Sequence, residues 1–98
     1  MKINKNITGN TLEMSVEGRL DTTTAPELEA ALKEDMDSVD KVVLDFSKLD
    51  YVSSAGLRVL LAAHKKMAAK DGMTITGVND IVNEIFEITG FSDILDIE

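Results

Sequence analysis

The chain has 98 residues, 44% of them hydrophobic and 29% charged, enough for one domain with a single core. Its formal net charge of −8 argues against nucleic-acid and anionic-membrane partners, because such a surface repels phosphates. The absence of cysteine removes disulfides, thiolate catalysis and cysteine-based metal sites together.

Residues Ile3 to Ile7 suit a short strand, and Thr8-Gly9-Asn10 carries the chemistry of a tight turn. Leu12, Met14 and Val16 then alternate with Thr11, Glu13, Ser15 and Glu17, the period of a half-buried strand. The two segments read as a hairpin that Gly18-Arg19-Leu20-Asp21 leaves. Thr24-Ala25-Pro26-Glu27 has the form of a capping box, with Thr24 as N-cap and Glu27 at its third helical position. Leu28, Ala31, Leu32 and Met36 recur at helical spacing and predict one core-facing side.

Val42 to Phe46 is an apolar run expected of a central strand covered on both faces. Reaching it through a helix outlines a crossover between parallel strands. After the turn Leu49-Asp50-Tyr51-Val52, a second helix is predicted from Leu57 to Lys70, with Leu57, Leu60, Leu61 and Ala68 on its inner face and Gly72 closing it. Met73 to Thr76 returns to a strand pattern. Asn79 or Asp80 opens a third helix with the stripe Ile81, Val82, Ile85, Phe86 and Ile88. Gly90 ends it as a left-handed cap, with Phe91 folding back on its last turn. Ile94, Leu95 and Ile97 suit a final short strand. The predicted class is α/β: one domain over residues 1–98, of order ββαβαβα with that short last strand, a small mixed sheet flanked by helices.

The richest chemistry lies where the central strand meets the second helix, at Ser53-Ser54. Hydroxyls at a helix N-terminus sit beside free N–H groups and the positive end of the dipole, which favour an anion. Serine at such a place is also an ordinary N-cap, contributing about 1 kcal/mol, and that is the plain reading of Ser54. Asp21, at a strand end, has the plain role of a turn residue bonding its own backbone. Asp45, at the end of its strand, is read as bonding a neighbouring loop. His64 falls near the apolar stripe and reads as packing, and the five methionines read as core filler.

The chain resembles the STAS domains, and more closely the stand-alone bacterial anti-sigma factor antagonists. The resemblance rests on Gly18-Arg19-Leu20-Asp21, on Val42-Val43-Leu44-Asp45-Phe46-Ser47, on Ser53-Ser54-Ala55-Gly56-Leu57-Arg58-Val59-Leu60-Leu61 and on Ile85-Phe86-Glu87-Ile88-Thr89-Gly90-Phe91. It implies a module that binds an anti-sigma factor, itself a serine/threonine kinase, frees a sigma factor, and lets go once phosphorylated. Alignment on Gly56-Leu57 places the phosphoacceptor at Ser54, with Ser53 the second choice. Ser53 stands where the family often has Asp, and Ala55 where it often has Ser. The implied contact surface comprises Asp21, Thr22, Thr23, Ser53, Ser54, Ala55, Gly56, Leu57 and Arg58. The resemblance implies no cofactor for this chain, since ATP and Mg²⁺ belong to the kinase; a phosphatase is a candidate second partner.

Two other functions compete. The same fold serves as a constitutive scaffold or transporter subunit, in which Ser54 only caps. An enzyme with Ser53 or Ser54 as nucleophile needs a base within hydrogen-bond reach, and the one histidine, His64, lies about ten positions down the helix, roughly 15 Å away. Neither a Gly-x-Ser-x-Gly elbow nor a Walker loop is present, so a non-enzyme is expected. No carboxylate–histidine cluster has metal-ligand spacing. Met1-Lys2-Ile3-Asn4-Lys5 lacks a signal peptide's apolar run and no stretch reaches membrane-span length, which makes the cytoplasm the expected location.

Overall fold

A two-residue turn starts the architecture. Gly9 adopts φ +60°, open to glycine without a Cβ penalty, and with Asn10 it joins strands β1 (Lys2–Thr8) and β2 (Thr11–Leu20) so that Thr8 faces Thr11. The structure, a computed structural model, describes residues 1–98.

Strand β2 runs further than the sequence reading allows, because Gly18-Arg19-Leu20 remains in the sheet. The first part of β2 pairs in parallel with β3 (Lys41–Asp45), and its last three residues pair in parallel with β4 (Leu49–Val52). Register slips between Gly18 and Arg19, where Gly18 takes φ +102°. Such a bulge lets one strand serve two neighbours in succession. Strand β4 itself corrects the expectation of a turn at Leu49 to Val52. Only four residues long, with Leu49 and Val52 buried and Asp50 exposed, it carries too short a pattern to read locally.

Helices α1 (Ala25–Asp35), α2 (Ser54–Met67) and α3 (Asp80–Thr89) supply the crossovers, and β5 (Met73–Thr76) and β6 (Asp96–Ile97) complete a six-stranded mixed sheet. Its order is β1-β2-β3-β5-β6, with β4 beside the far end of β2. The domain is thus α/β as predicted, with one more strand, and the short final strand is present.

Alternation sets the layers. Leu12, Met14, Val16, Val42, Leu44, Met73 and Ile75 point to one face and join Leu28, Leu32, Leu60, Met67, Val82 and Phe86 in a single core. Glu13, Ser15, Val43, Asp45 and Thr76 point the other way and are exposed or half-buried. The expectation that the central strand is covered on both faces is therefore corrected: the apolar helix faces all join the core on one side.

The helix stripes also need correction. On α2 the buried set is Gly56, Leu57, Val59, Leu60, Ala63 and Met67, whereas Leu61 is half-buried and Ala68 lies exposed past the helix end. The helix begins and ends three residues earlier than read, and its inner face centres on Gly56, Leu60, Ala63 and Met67. On α3 only Val82 and Phe86 are buried; Ile81 and Ile88 are exposed. Asn79 caps this helix by accepting from the Val82 N–H at 2.8 Å, and its own amide donates to the Leu49 carbonyl at 2.9 Å. Gly90 ends it at φ 81°, ψ 1°, the left-handed cap expected, and Phe91 packs against the core.

Candidate partner-binding and modification site

The turn after β2 is organised by one carboxylate. Asp21 Oδ1 accepts from the Thr23 N–H at 3.0 Å, the Thr24 N–H at 3.1 Å and the Thr23 hydroxyl at 2.7 Å. The Thr23 hydroxyl above all, then the Thr24 and Thr23 N–H groups, hold the Asp21 carboxyl below its ordinary value against the cost of desolvation. Asp21 thus has the turn role that its strand-end position suggested.

Thr24 occupies the N-cap position of α1, but its side chain makes no cap bond. Its hydroxyl donates to the Arg19 carbonyl at 2.7 Å and accepts from the Asp21 N–H at 2.8 Å. The capping box with Glu27 therefore does not form, because the hydroxyl is committed to the turn behind it. Arg19 lies over the Tyr51 ring, 4.4 Å from its centroid, with its Nε 3.9 Å from Asp21 Oδ2. This stack ties β4 to the Gly-Arg-Leu-Asp segment. Nothing in the sequence paired Arg19 with Tyr51, since the contact depends on the unread strand.

The start of α2 is bonded to the same segment. The Ser53 N–H donates to the Leu20 carbonyl at 2.8 Å, and the Leu57 N–H closes the first turn on the Ser53 carbonyl at 2.9 Å. Ser53 has extended backbone, φ −92° and ψ 174°, and its Oγ accepts from the Gly56 N–H at a long 3.4 Å. The N-cap is therefore Ser53, which corrects the plain reading of Ser54 as the cap. Ser54 is the first helical residue; it is exposed and its hydroxyl has no hydrogen-bond partner within the domain. Orphan N–H groups of a first helical turn surround such a position.

Gly56 allows this junction to close. A Cβ there would come within 2.6 Å of Leu20 Cγ, so only glycine lets the helix meet the end of β2 at this distance. Gly56 and Leu57 consequently face the interior, while Ala55 is half-buried and Arg58 exposed. Between α1 and α2 lies an open depression of about 350 Å³ that brings Thr22, Pro26 and Glu29 opposite Ala55 and Arg58. The residues singled out around Asp21 and around Ser53 are thus gathered at one end of the domain, although they lie some thirty positions apart in the chain.

No carboxylate or imidazole bonds either serine hydroxyl, and His64 stands half-buried further along α2 with its Nδ1 buried and unpartnered. No group of three or more histidine, aspartate or glutamate side chains is arranged to hold a metal ion. No helix is long and apolar enough to cross a membrane. Asp45, at the end of β3, accepts from the Ser47 N–H at 2.9 Å, the loop bond read from its position.

The chain is similar to known proteins over nearly its whole length. The family model for the STAS domain matches residues 2–98. BtrV of Bordetella bronchiseptica, provisionally named an anti-sigma factor antagonist, is 35% identical over 99 residues, spanning 99% of this chain and 85% of its own. Among solved structures, an anti-sigma factor antagonist from Mycobacterium paratuberculosis superposes with a TM-score of 0.85 at 25% identity, over 98% of this chain and 85% of that one. The anti-sigma factor antagonist SpoIIAA in its unphosphorylated form gives 0.83 at 16% identity, over 99% and 88% of the two chains. The phosphorylated form of SpoIIAA, from Bacillus, gives 0.75 at 16% identity, over 99% and 91%. Both SpoIIAA forms share the fold.

Proposed function

The chain belongs to the STAS domain family, and from that membership we propose that it is an anti-sigma factor antagonist, a protein-binding module switched by phosphorylation at Ser54. The similarity to named antagonists over nearly the whole chain supports the role. One observation carries the choice of residue: the Ser54 hydroxyl is exposed and unbonded at the first position of α2, whereas the neighbouring Ser53 hydroxyl is engaged as the cap.

In this reading the unmodified end of the domain binds an anti-sigma factor that is also a serine/threonine kinase, and a sigma factor is released to direct transcription. ATP and Mg²⁺ are bound by that kinase, and this chain holds no cofactor of its own. The partner transfers the γ-phosphoryl group to the Ser54 oxygen; the hydroxyl proton leaves and ADP is the product. Phosphorylation adds about −1.5 to −2 charges. The helix dipole and the orphan N–H groups offset that charge locally, so the fold is retained. A partner surface shaped for a bare hydroxyl then rejects the dianion through repulsion and desolvation. A phosphatase resets the switch, and all partners meet in the cytoplasm. That SpoIIAA has been solved in both forms supports a fold that carries the phosphate intact.

Incubation with the kinase and ATP tests the proposal by intact mass. Wild type gains one phosphate, Ser53→Ala keeps the gain and Ser54→Ala loses it. Absence of any gain would favour the constitutive scaffold, in which the same end of the domain binds without switching. A Ser54→Asp variant that bound the kinase as tightly as wild type would sink the electrostatic account of release.

A further inference from the structure

Helix α3 presents an isoleucine stripe that the domain leaves uncovered. Ile81, Ile85 and Ile88 follow at spacings of four and three, which keeps them within an arc of about 60° on a 3.6-residue helix. Ile81 is 61% exposed and Ile88 76%, with Ile85 half-buried between them. The core uses the adjoining face, through Val82 and Phe86, both 0% exposed. A single exposed isoleucine is ordinary surface, but a row of them along one helix marks a contact.

Charge is distributed to match. Asp71, Asp80, Glu84, Glu87, Asp93, Asp96 and Glu98 give the segment from residue 71 onward seven of the chain's 18 acidic residues, and none of its ten Lys and Arg residues. The preceding seventy residues therefore hold eleven acidic residues against ten basic ones and are nearly neutral. Almost all of the chain's net charge of −8 lies in this last segment, which includes the helix that carries the stripe. On α3 itself the charged positions are Asp80, Glu84 and Glu87, with no basic side chain among them.

We propose that this face of α3 docks a cationic amphipathic helix of a partner protein. Its apolar side lies along Ile81, Ile85 and Ile88, and its Lys or Arg flank runs beside Asp80, Glu84 and Glu87. Helix-on-stripe contacts of this kind take affinity from apolar anchors, and partner choice and on-rate from opposite charge. A second copy of this chain is a poor occupant, because pairing the same face with itself brings identical acidic flanks together. The surface lies outside the phosphoacceptor region, so this inference goes beyond the Ser54 reading and does not depend on it.

The test is an NMR titration of the ¹⁵N-labelled full chain with a synthetic leucine–lysine amphipathic peptide of about 18 residues, five helical turns. A scramble of the same composition serves as control. Amide shifts confined to α3, weakening with added salt, are expected for the amphipathic peptide. Ile81→Ser/Ile88→Ser should lower the affinity by at least about tenfold while leaving the melting transition in place, since both side chains are exposed. Equal binding of the scramble would overturn the proposal, as would shifts centred elsewhere or undiminished binding by the double variant. Sedimentation showing a wild-type dimer that the double substitution dissolves would assign the face to a second copy instead.

Discussion

Alanine at position 56 sets two effects of known size against each other. Replacing a helical glycine by alanine gains up to about 1 kcal/mol of propensity. Against this, the added Cβ would lie 2.6 Å from Leu20 Cγ, 2.9 Å from Leu20 Cδ2 and 3.2 Å from the Leu20 carbonyl oxygen. Leu20 cannot withdraw easily: its side chain is 0% exposed, and its carbonyl accepts from the Ser53 N–H at 2.8 Å. Overpacking of this kind costs about 1–3 kcal/mol, and a contact shared with backbone belongs at the upper end. Gly56→Ala should therefore destabilise by about 1–2 kcal/mol net, lowering the melting temperature by several degrees at about 4–8 °C per kcal/mol. Urea unfolding of wild type, Gly56→Ala, Leu20→Ala and the double variant checks the cause as well as the size. Leu20→Ala alone should cost about 2–5 kcal/mol. In the double variant the new methyl occupies part of the void, so the total should fall short of the sum by about 1 kcal/mol. A Gly56→Ala protein at least as stable as wild type would refute the reasoning, and so would strict additivity.

Three further outcomes follow from the same contacts. The folded Asp21 carboxyl titrates below its ordinary value of 3.8, so its contribution is present above that value and drains away as pH falls through the depressed one. The stability difference between wild type and Asp21→Asn should be level from neutrality to about pH 5 and shrink below it; a difference independent of pH refutes the assignment. The Lys70 ammonium donates to the carbonyls of Met36 at 2.9 Å, Asp37 at 3.2 Å and Val39 at 2.7 Å, tying the end of α1 to the chain beyond α2. Lys70→Met should cost about 1–2 kcal/mol by thermal unfolding, and a value within about 0.5 kcal/mol of wild type would show that water replaces those bonds freely. Ser53→Ala should cost about 0.5–1 kcal/mol and Ser54→Ala close to nothing; the reverse order would return the cap to Ser54.

What could be read from the chain was local, and what could not was a matter of partners. The Gly9-Asn10 turn and the left-handed Gly90 each announce themselves because a few adjacent residues determine the backbone there, whereas the start of α3 stays open between Asn79 and Asp80 in sequence. Strand β4 did not, since its four residues become a strand only by lying beside Gly18 to Leu20, some thirty positions earlier. The same non-locality misplaced the inner faces of α2 and α3. An apolar residue on a helix reads as core wherever it falls, and only the position of the sheet shows that Phe86 faces inward while Ile88 does not. At the serine pair a single residue of phase was at stake. Both hydroxyls are plausible caps in sequence, and the decision is made by the Ser53 N–H reaching the Leu20 carbonyl and by Gly56 closing on the Leu20 side chain. Those contacts make Ser53 the last extended residue and Ser54 the first helical one. The end of β2 therefore determines which hydroxyl caps the helix and which one is left exposed and unbonded on its first turn.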